Sequence, residues 1–361
     1  MNLPPFAKHR IFAAASALIA GSILLTACAP GAGQSAANAD GKESLVVYSN
    51  SVSDGRGAWL TAEAAQAGFD LQLVDLGGGE VMNRLSAEKN NPVADVTFGM
   101  NNVYFQKLKA QDVLEPYTPA WSGEVDAAMG DEDGKTFWPI VREPIMLVYN
   151  QAAYASADAA PQDWTDLWTK DQFKGRYEVP SASTGATTQM VYSGILSRYA
   201  DPNGELGVSR EGWEQIAAYF KNGKTAVKGE DLYARMKAGT VDAGQMWLAG
   251  KNSREAEYGI KTQAVRPNVG VPFSVQHVAM VKGTHKAKTA QAFIDWFGSA
   301  KVQAAWSNKF FTAPANAQAL ADANKQAIEQ TDVFTPQDID WALVAQNIDA
   351  WVEKIELDYR K

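Results

Sequence analysis

From residue 44 onward the apolar and polar positions switch between two periods. Ser44-Leu45-Val46-Val47-Tyr48-Ser49-Asn50 is an apolar run that stops in small polar residues, the pattern of a buried strand entering a loop. Residues 58–67 place apolar side chains at helical spacing, and residues 69–76 (FDLQLVDL) alternate with period two. Gly77, Gly78 and Gly79 break the chain before a helical stretch over 80–89, and residues 94–98 (ADVTF) give a third strand. The order βαβαβ predicts an α/β fold with an open parallel sheet and helices on its faces.

From Lys135 the texture changes. Residues 137–142 and 144–150 are extended apolar runs with no helix between them, suited to carry the chain into a second domain. A further set follows between about 151 and 268: a strand over 176–179 (RYEV), helices over 187–199 and 210–220, and a strand over 243–247. Residues 270–273 and 275–281 (VQHVAMV) are again extended and carry the chain back. The remainder is amphipathic helix over 287–297, 300–309 and 338–359, where Ile339, Leu343, Ile348, Trp351 and Ile355 recur at near-helical intervals. The pattern predicts two lobes, 44–143 with 275–361 and 144–274, joined by paired strands that can act as a hinge.

The N-terminus adds an address. Lys8, His9 and Arg10 precede an apolar stretch over 11–25, and the stretch ends in Leu25-Thr26-Ala27-Cys28. It is shorter than the roughly 20 residues a membrane span needs and has the three parts of a cleaved secretory signal over residues 1–27. Cys28, the only cysteine, stands where a bacterial lipobox places the lipid-modified thiol. Acyl chains contributing ~0.8 kcal/mol per buried CH₂ would hold the protein at a membrane surface, and residues 28–43 read as a flexible tether. One cysteine excludes an internal disulfide, so stability rests on packing; 46% hydrophobic residues and 11 Trp supply it. A net charge of −8 argues against a nucleic-acid partner. Three His, one of them in the leader, leave little material for a metal site or a catalytic triad.

In open α/β sheets ligands bind beyond the carboxyl ends of the strands. Ser49, Asn50 and Ser51 follow the first strand, Asn101 and Asn102 follow the third, and Gly78 sits in a segment whose backbone a ligand can approach closely. Each set serves equally as a cap or turn; their recurrence after successive strands marks a candidate site. The segment Pro180-Ser181-Ala182-Ser183-Thr184-Gly185-Ala186-Thr187-Thr188 lies between a strand and a helix, so Ser183, Thr184, Gly185 and Thr187 form either an anion-binding nest or an ordinary helix start. It is not a P-loop, lacking the GK[ST] ending, and Met82 breaks any dinucleotide fingerprint at the triple glycine. Trp247 ends a strand and either stacks on a planar or cationic ligand or packs in the core. Arg142 and Glu143, on the crossover, pair with each other or meet ligand; Gln276 and His277, on the return, pose the same choice.

With these residues in hand, the chain resembles bacterial extracellular solute-binding proteins of the thiamine-, ferric-iron- and phosphonate- or sugar-phosphate-binding group. The stretches that carry the resemblance are LVVYSNS, VMNRLSAEKNNPVADVTFGMNN, FWPIVREPIMLVYN, VPSASTGATTQ, AFIDWFGSAKVQAAW and FTPQDIDW. The resemblance implies a type 2, two-lobed periplasmic-binding-protein fold with a hinged cleft. It implies a monomeric, non-enzymatic receptor without cofactor or resident metal, exported and lipid-anchored at the outer face of the cell membrane, that delivers a small solute to an ABC permease and ATPase. An organic phosphate or phosphonate, or a thiamine-like ligand, is favoured. The alternative is ferric iron, whose binders present a Tyr pair where this chain reads Gln245-Met246-Trp247. A third reading, a secreted hydrolase using Ser183 or Ser49 with His277 or His285 as base, lacks the G-x-S-x-G elbow.

Overall fold

The computed structural model describes residues 43–183 and 185–360; the signal, Cys28 and nearly all of the tether lie outside the described residues, as does Thr184. The opening alternation folds as expected: β1 (Ser44–Ser49), α1 (Arg56–Gln66), β2 (Asp70–Asp75), α2 (Gly78–Ala87), β3 (Val96–Phe98) and then α3 (Asn102–Ala110). A two-residue strand, β4 (Leu114–Glu115), precedes the long β5 (Trp138–Asn150). Next come α4 (Asp166–Thr169), β6 (Glu178–Val179), α5 (Ala186–Leu196), β7 (Ala200–Glu205), α6 (Arg210–Asn222), β8 (Lys224–Thr225), α7 (Leu232–Lys237), β9 (Ala243–Trp247), α8 (Leu248–Tyr258) and β10 (Thr262–Ala264). The return strand β11 (Phe273–Val281) leads to α9 (Ala287–Phe297), α10 (Ala300–Phe310), β12 (Ala313–Pro314), α11 (Lys325–Asp332) and α12 (Trp341–Lys354).

β1 pairs in parallel with both β2 and β3, whereas β11 runs antiparallel to β3 and β5, so the sheet is mixed rather than purely parallel. The two expected extended runs before residue 150 are one strand. Its first half, from Trp138 to Pro144, pairs with β11; from Ile145 to Tyr149 it pairs with β9, and Val148 to Asn150 also meet β10. The exchange of partners falls at Pro144. Proline has no N–H to give a ladder, and Ile145, the next residue, donates instead to the Pro272 carbonyl at 2.9 Å. The expected strand over 176–179 shrinks to Glu178 and Val179, paired with β8.

The halves of β5 feed different cores. Val141 packs with Leu45, Val47, Phe98, Phe293 and Trp306, while Ile145, Leu147 and Tyr149 pack with Tyr177, Tyr192, Ile195 and Tyr219. The closing helix α12, expected with the first lobe by chain position, buries Val344, Ile348 and Trp351 in this second core. Its other neighbour is α3, with Lys107 paired to Asp349 at 2.7 Å.

Candidate functional site

The carboxyl ends of the parallel strands β1 and β3 lie side by side and open into a cavity of about 280 Å³. Asn50, Ser51, Gly99 and Asn101 line it from this side, and Ala186, Thr187, Met190 and Trp247 from the other. Between them run the crossover and return strands, contributing Glu143, Ile145, Ser274 and Gln276.

The turn after β1 is built around its neighbours. Ser49 is buried and its Oγ accepts the Ser51 N–H at 3.0 Å, which turns Ser51 so that its Oγ donates to the Gly99 carbonyl and to Gln276 Oε1 at 3.3 and 3.2 Å. Gly99 has a positive φ of 94°, and a Cβ there would lie 2.6 Å from Ser51, so only glycine admits the contact. Gly78 plays the same part behind Asn50: a Cβ would meet Tyr104 at 2.9 Å and Asn50 Nδ2 at 3.1 Å. Ser49 and Gly78 thus shape the turn from outside the cavity.

Asn101 caps α3, its Oδ1 accepting the Tyr104 N–H at 3.4 Å. Its Nδ2 is buried with no hydrogen-bond partner among the described residues, and so is Asn50 Oδ1. A buried, unpaired amide atom is costly, and both of these belong to residues that line the cavity. Asn102 is not such a group, because its Oδ1 accepts the Val275 N–H at 2.9 Å and ties α3 to the return strand.

The nest expected at 183–187 divides. Ala186 and Thr187, the first residues of α5, line the cavity, and no side chain caps that helix at Gly185. Ser183 faces elsewhere: it is fully buried, its Oγ shares a hydrogen bond with Tyr192 Oη at 3.1 Å, and its N–H donates to Glu356 Oε1 at 2.8 Å. The C-terminal segment therefore props the entry to α5, with Arg360 bonded to both Glu356 and the Ser181 carbonyl. Three helix N-termini, those of α3, α5 and α8, reach the cavity through Asn101, Ala186 and Trp247, bringing partial positive charge without a cationic side chain.

Trp247 lies beside Ile145 across the β5–β9 ladder, with the Arg254 guanidinium 4.8 Å from its ring centroid. Arg142 points away from the cavity to Asp332 on α11, at 3.0 Å. His277 is buried, with Nε2 bonded to the Met129 carbonyl at 2.7 Å and ring centroids of Phe105 and Phe137 at 5.2 and 4.9 Å. Burial holds its pKa down at about 4, so it is neutral and a packing residue. A register shift between Gln276 and His277 separates the two: Gln276 reaches the cavity and His277 does not. Gly99, Ile145, Ala186, Met190 and Ser274 were not among the candidates from sequence, and Glu143 stood there between pairing with Arg142 and meeting ligand. The signal for Ser274 and Gln276 was their period-two spacing around the apolar Val275.

Among the described residues no group of three or more His, Cys, Asp or Glu is placed to hold a metal. No described helix is long and apolar enough to cross a membrane.

Residues 58–334 match the family of bacterial extracellular solute-binding proteins. The chain belongs to this family. A probable ABC transporter periplasmic-binding protein of Sinorhizobium fredii is 36% identical over 321 residues, covering 88% of this chain and 87% of the relative. A putative 2-aminoethylphosphonate-binding periplasmic protein of Salmonella typhi is 28% identical over 156 residues, covering 41% of this chain and 44% of the relative. The ferric binding protein of Campylobacter jejuni superimposes with a TM-score of 0.72 at 19% identity, covering 86% of this chain and 98% of that one. The solute-binding protein described here therefore has the two-lobed periplasmic-binding-protein fold, as the resemblance implied.

Proposed function

We propose that this solute-binding protein is the capturing subunit of an ABC importer, exported and tethered through Cys28, which closes on a small organic solute bearing an oxyanion and presents it to a membrane permease driven by an ATPase. One lobe is built on 44–143 and the segment returning from 275, the other on 144–274 with α12 packed against it. The family and the transporter relative in Sinorhizobium fredii support the transport role. The observation that carries the ligand class is the convergence, in one cavity, of the uncapped start of α5, the Thr187 side chain and the unpaired Nδ2 of Asn101. Backbone N–H groups at a helix start are suited to phosphate or carboxylate oxygens. At about 280 Å³ the cavity lies at the small end for ligand sites.

Ferric iron fits the donors less well. No Tyr lines the cavity, Trp247 offers no oxygen, and hard cations call for oxygen ligands. A hydrolase is unsupported because Ser183 and Ser49 are bonded to Tyr192 and to the Ser51 backbone, and His277 to a carbonyl.

Thermal unfolding tests the reading. A ligand at about 100 times its Kd stabilises by ~2.7 kcal/mol. We expect 2-aminoethylphosphonate or thiamine phosphate to raise the midpoint and ferric citrate to leave it unchanged. A rise with ferric citrate alone contradicts the reading.

A further inference from the structure

We propose that Glu143 forms a cation subsite in the cavity, so that the solute is a zwitterion whose ammonium group meets the Glu143 carboxylate while its oxyanion meets the start of α5. The inference rests on the cavity being the solute site and adds the second charge of the ligand.

Position is the first argument. Glu143 stands opposite Ser274 on the return strand, one residue before Pro144, where β5 leaves β11 for β9. The crossover thus presents a carboxylate at the junction of the strands that join the two halves of the cavity. Two positions on, Ile145 pairs with Trp247, so the acid and the indole line the same wall.

The second argument is the missing counter-ion. Asp95, Asp131, Asp242 and Glu178, likewise withdrawn from water, hold Lys286, Lys109, Arg176 and Arg235 at 3.1, 2.6, 2.5 and 2.6 Å. Glu143 has no ion-pair partner among the described residues, and its one hydrogen bond is a long one, from the Ala249 N–H to Oε1 at 3.4 Å. Capping α8 in this way engages one oxygen and leaves Oε2 for another donor. Arg56 acts on Glu143 only from a distance, being paired with Asp54. Burial accordingly pushes the Glu143 pKa up to about 7, against the weaker opposing pull of the Ala249 hydrogen bond and Arg56. At that value the group is partly protonated near neutral pH, which relieves the unpaired charge before solute binds; a ligand cation at Oε2 would hold it ionised instead. No Lys or Arg lines the cavity to compete for it.

Calorimetric titration with 2-aminoethylphosphonate and with ethylphosphonate, which lacks the amine, separates the two charges. We expect the wild type to bind the aminophosphonate at least tenfold more tightly. Glu143→Gln is expected to lose at least tenfold for the aminophosphonate and to bind ethylphosphonate as the wild type does, which also shows its cleft intact. Glu143→Asp, which keeps the charge, should retain the preference for the amine. Equal wild-type affinities, a preference that survives in Glu143→Gln, or a preference lost in Glu143→Asp as fully as in Glu143→Gln overturns the subsite and leaves the cleft reading standing. Failure of the wild type to bind either phosphonate overturns the subsite, and failure to bind thiamine phosphate as well overturns the cleft reading with it.

Discussion

Asn50 carries a buried amide oxygen with no hydrogen-bond partner among the described residues. Truncating it removes an uncompensated acceptor, so Asn50→Ala should change unfolding free energy by less than about 1 kcal/mol while weakening solute binding at least tenfold. Urea unfolding and calorimetry on the same sample check the split; a variant that loses stability but keeps affinity would assign Asn50 to the scaffold. His277 gives the opposite case, a polar residue that serves packing. Burial lowers its folded pKa from 6.5 to about 4. The contribution is fully present above pH 6.5, where both states are neutral, and is lost as pH falls from 6.5 through 4, because the unfolded chain takes up the proton first. The loss is on the order of 3 kcal/mol for a shift of this size. Urea unfolding at pH 7.5 and 4.5 should show it, and His277→Phe should lack that increment. The strand-end residues Asn50, Ser51 and Asn101 were legible through their recurrence after successive apolar strands, although each serves equally as a cap or turn, as Asn101 does for α3. Glu143 was not, because the adjacent Arg142 offered a ready ion-pair partner; in fact Arg142 pairs with Asp332.

Among elements, β5 and the C-terminal segment decide whether the cavity has a wall. The segment after α12 supports α5 through Glu356, which accepts the Ser183 N–H and pairs with Arg360. Glu356→Ala removes a hydrogen bond to a charged acceptor and should cost ~1–3 kcal/mol, with solute affinity falling as the start of α5 loosens. Denaturation and titration of that variant give the answer; unchanged affinity would mean that α5 needs no such support. Helices with a strong 3.6 period were legible: α9 spans the expected residues and α10 runs one residue longer. The two- and three-residue strands β8 and β10 were not, since so few residues carry no period, while β6 was expected two residues longer than it is. α3 was hidden too: its polar start, Asn101 and Asn102, read as a strand end, while the structure makes Asn101 its cap.

At the scale of the molecule, the chain crosses once on β5, builds a second core and returns on β11, so the cavity is walled by segments far apart in sequence. That route was visible in the extended runs near residues 140 and 275. The placement of α12 was not, because an amphipathic period names a buried face without naming its partner; Ile348 and Trp351 found the second core. The central claim is that solute is gripped from both walls at once. Hydrogen exchange, read by mass spectrometry with and without saturating 2-aminoethylphosphonate, tests it most directly. The account predicts slowed exchange together in peptides spanning 97–105 and 185–192. Protection confined to one of these segments, or absent from both, would contradict it.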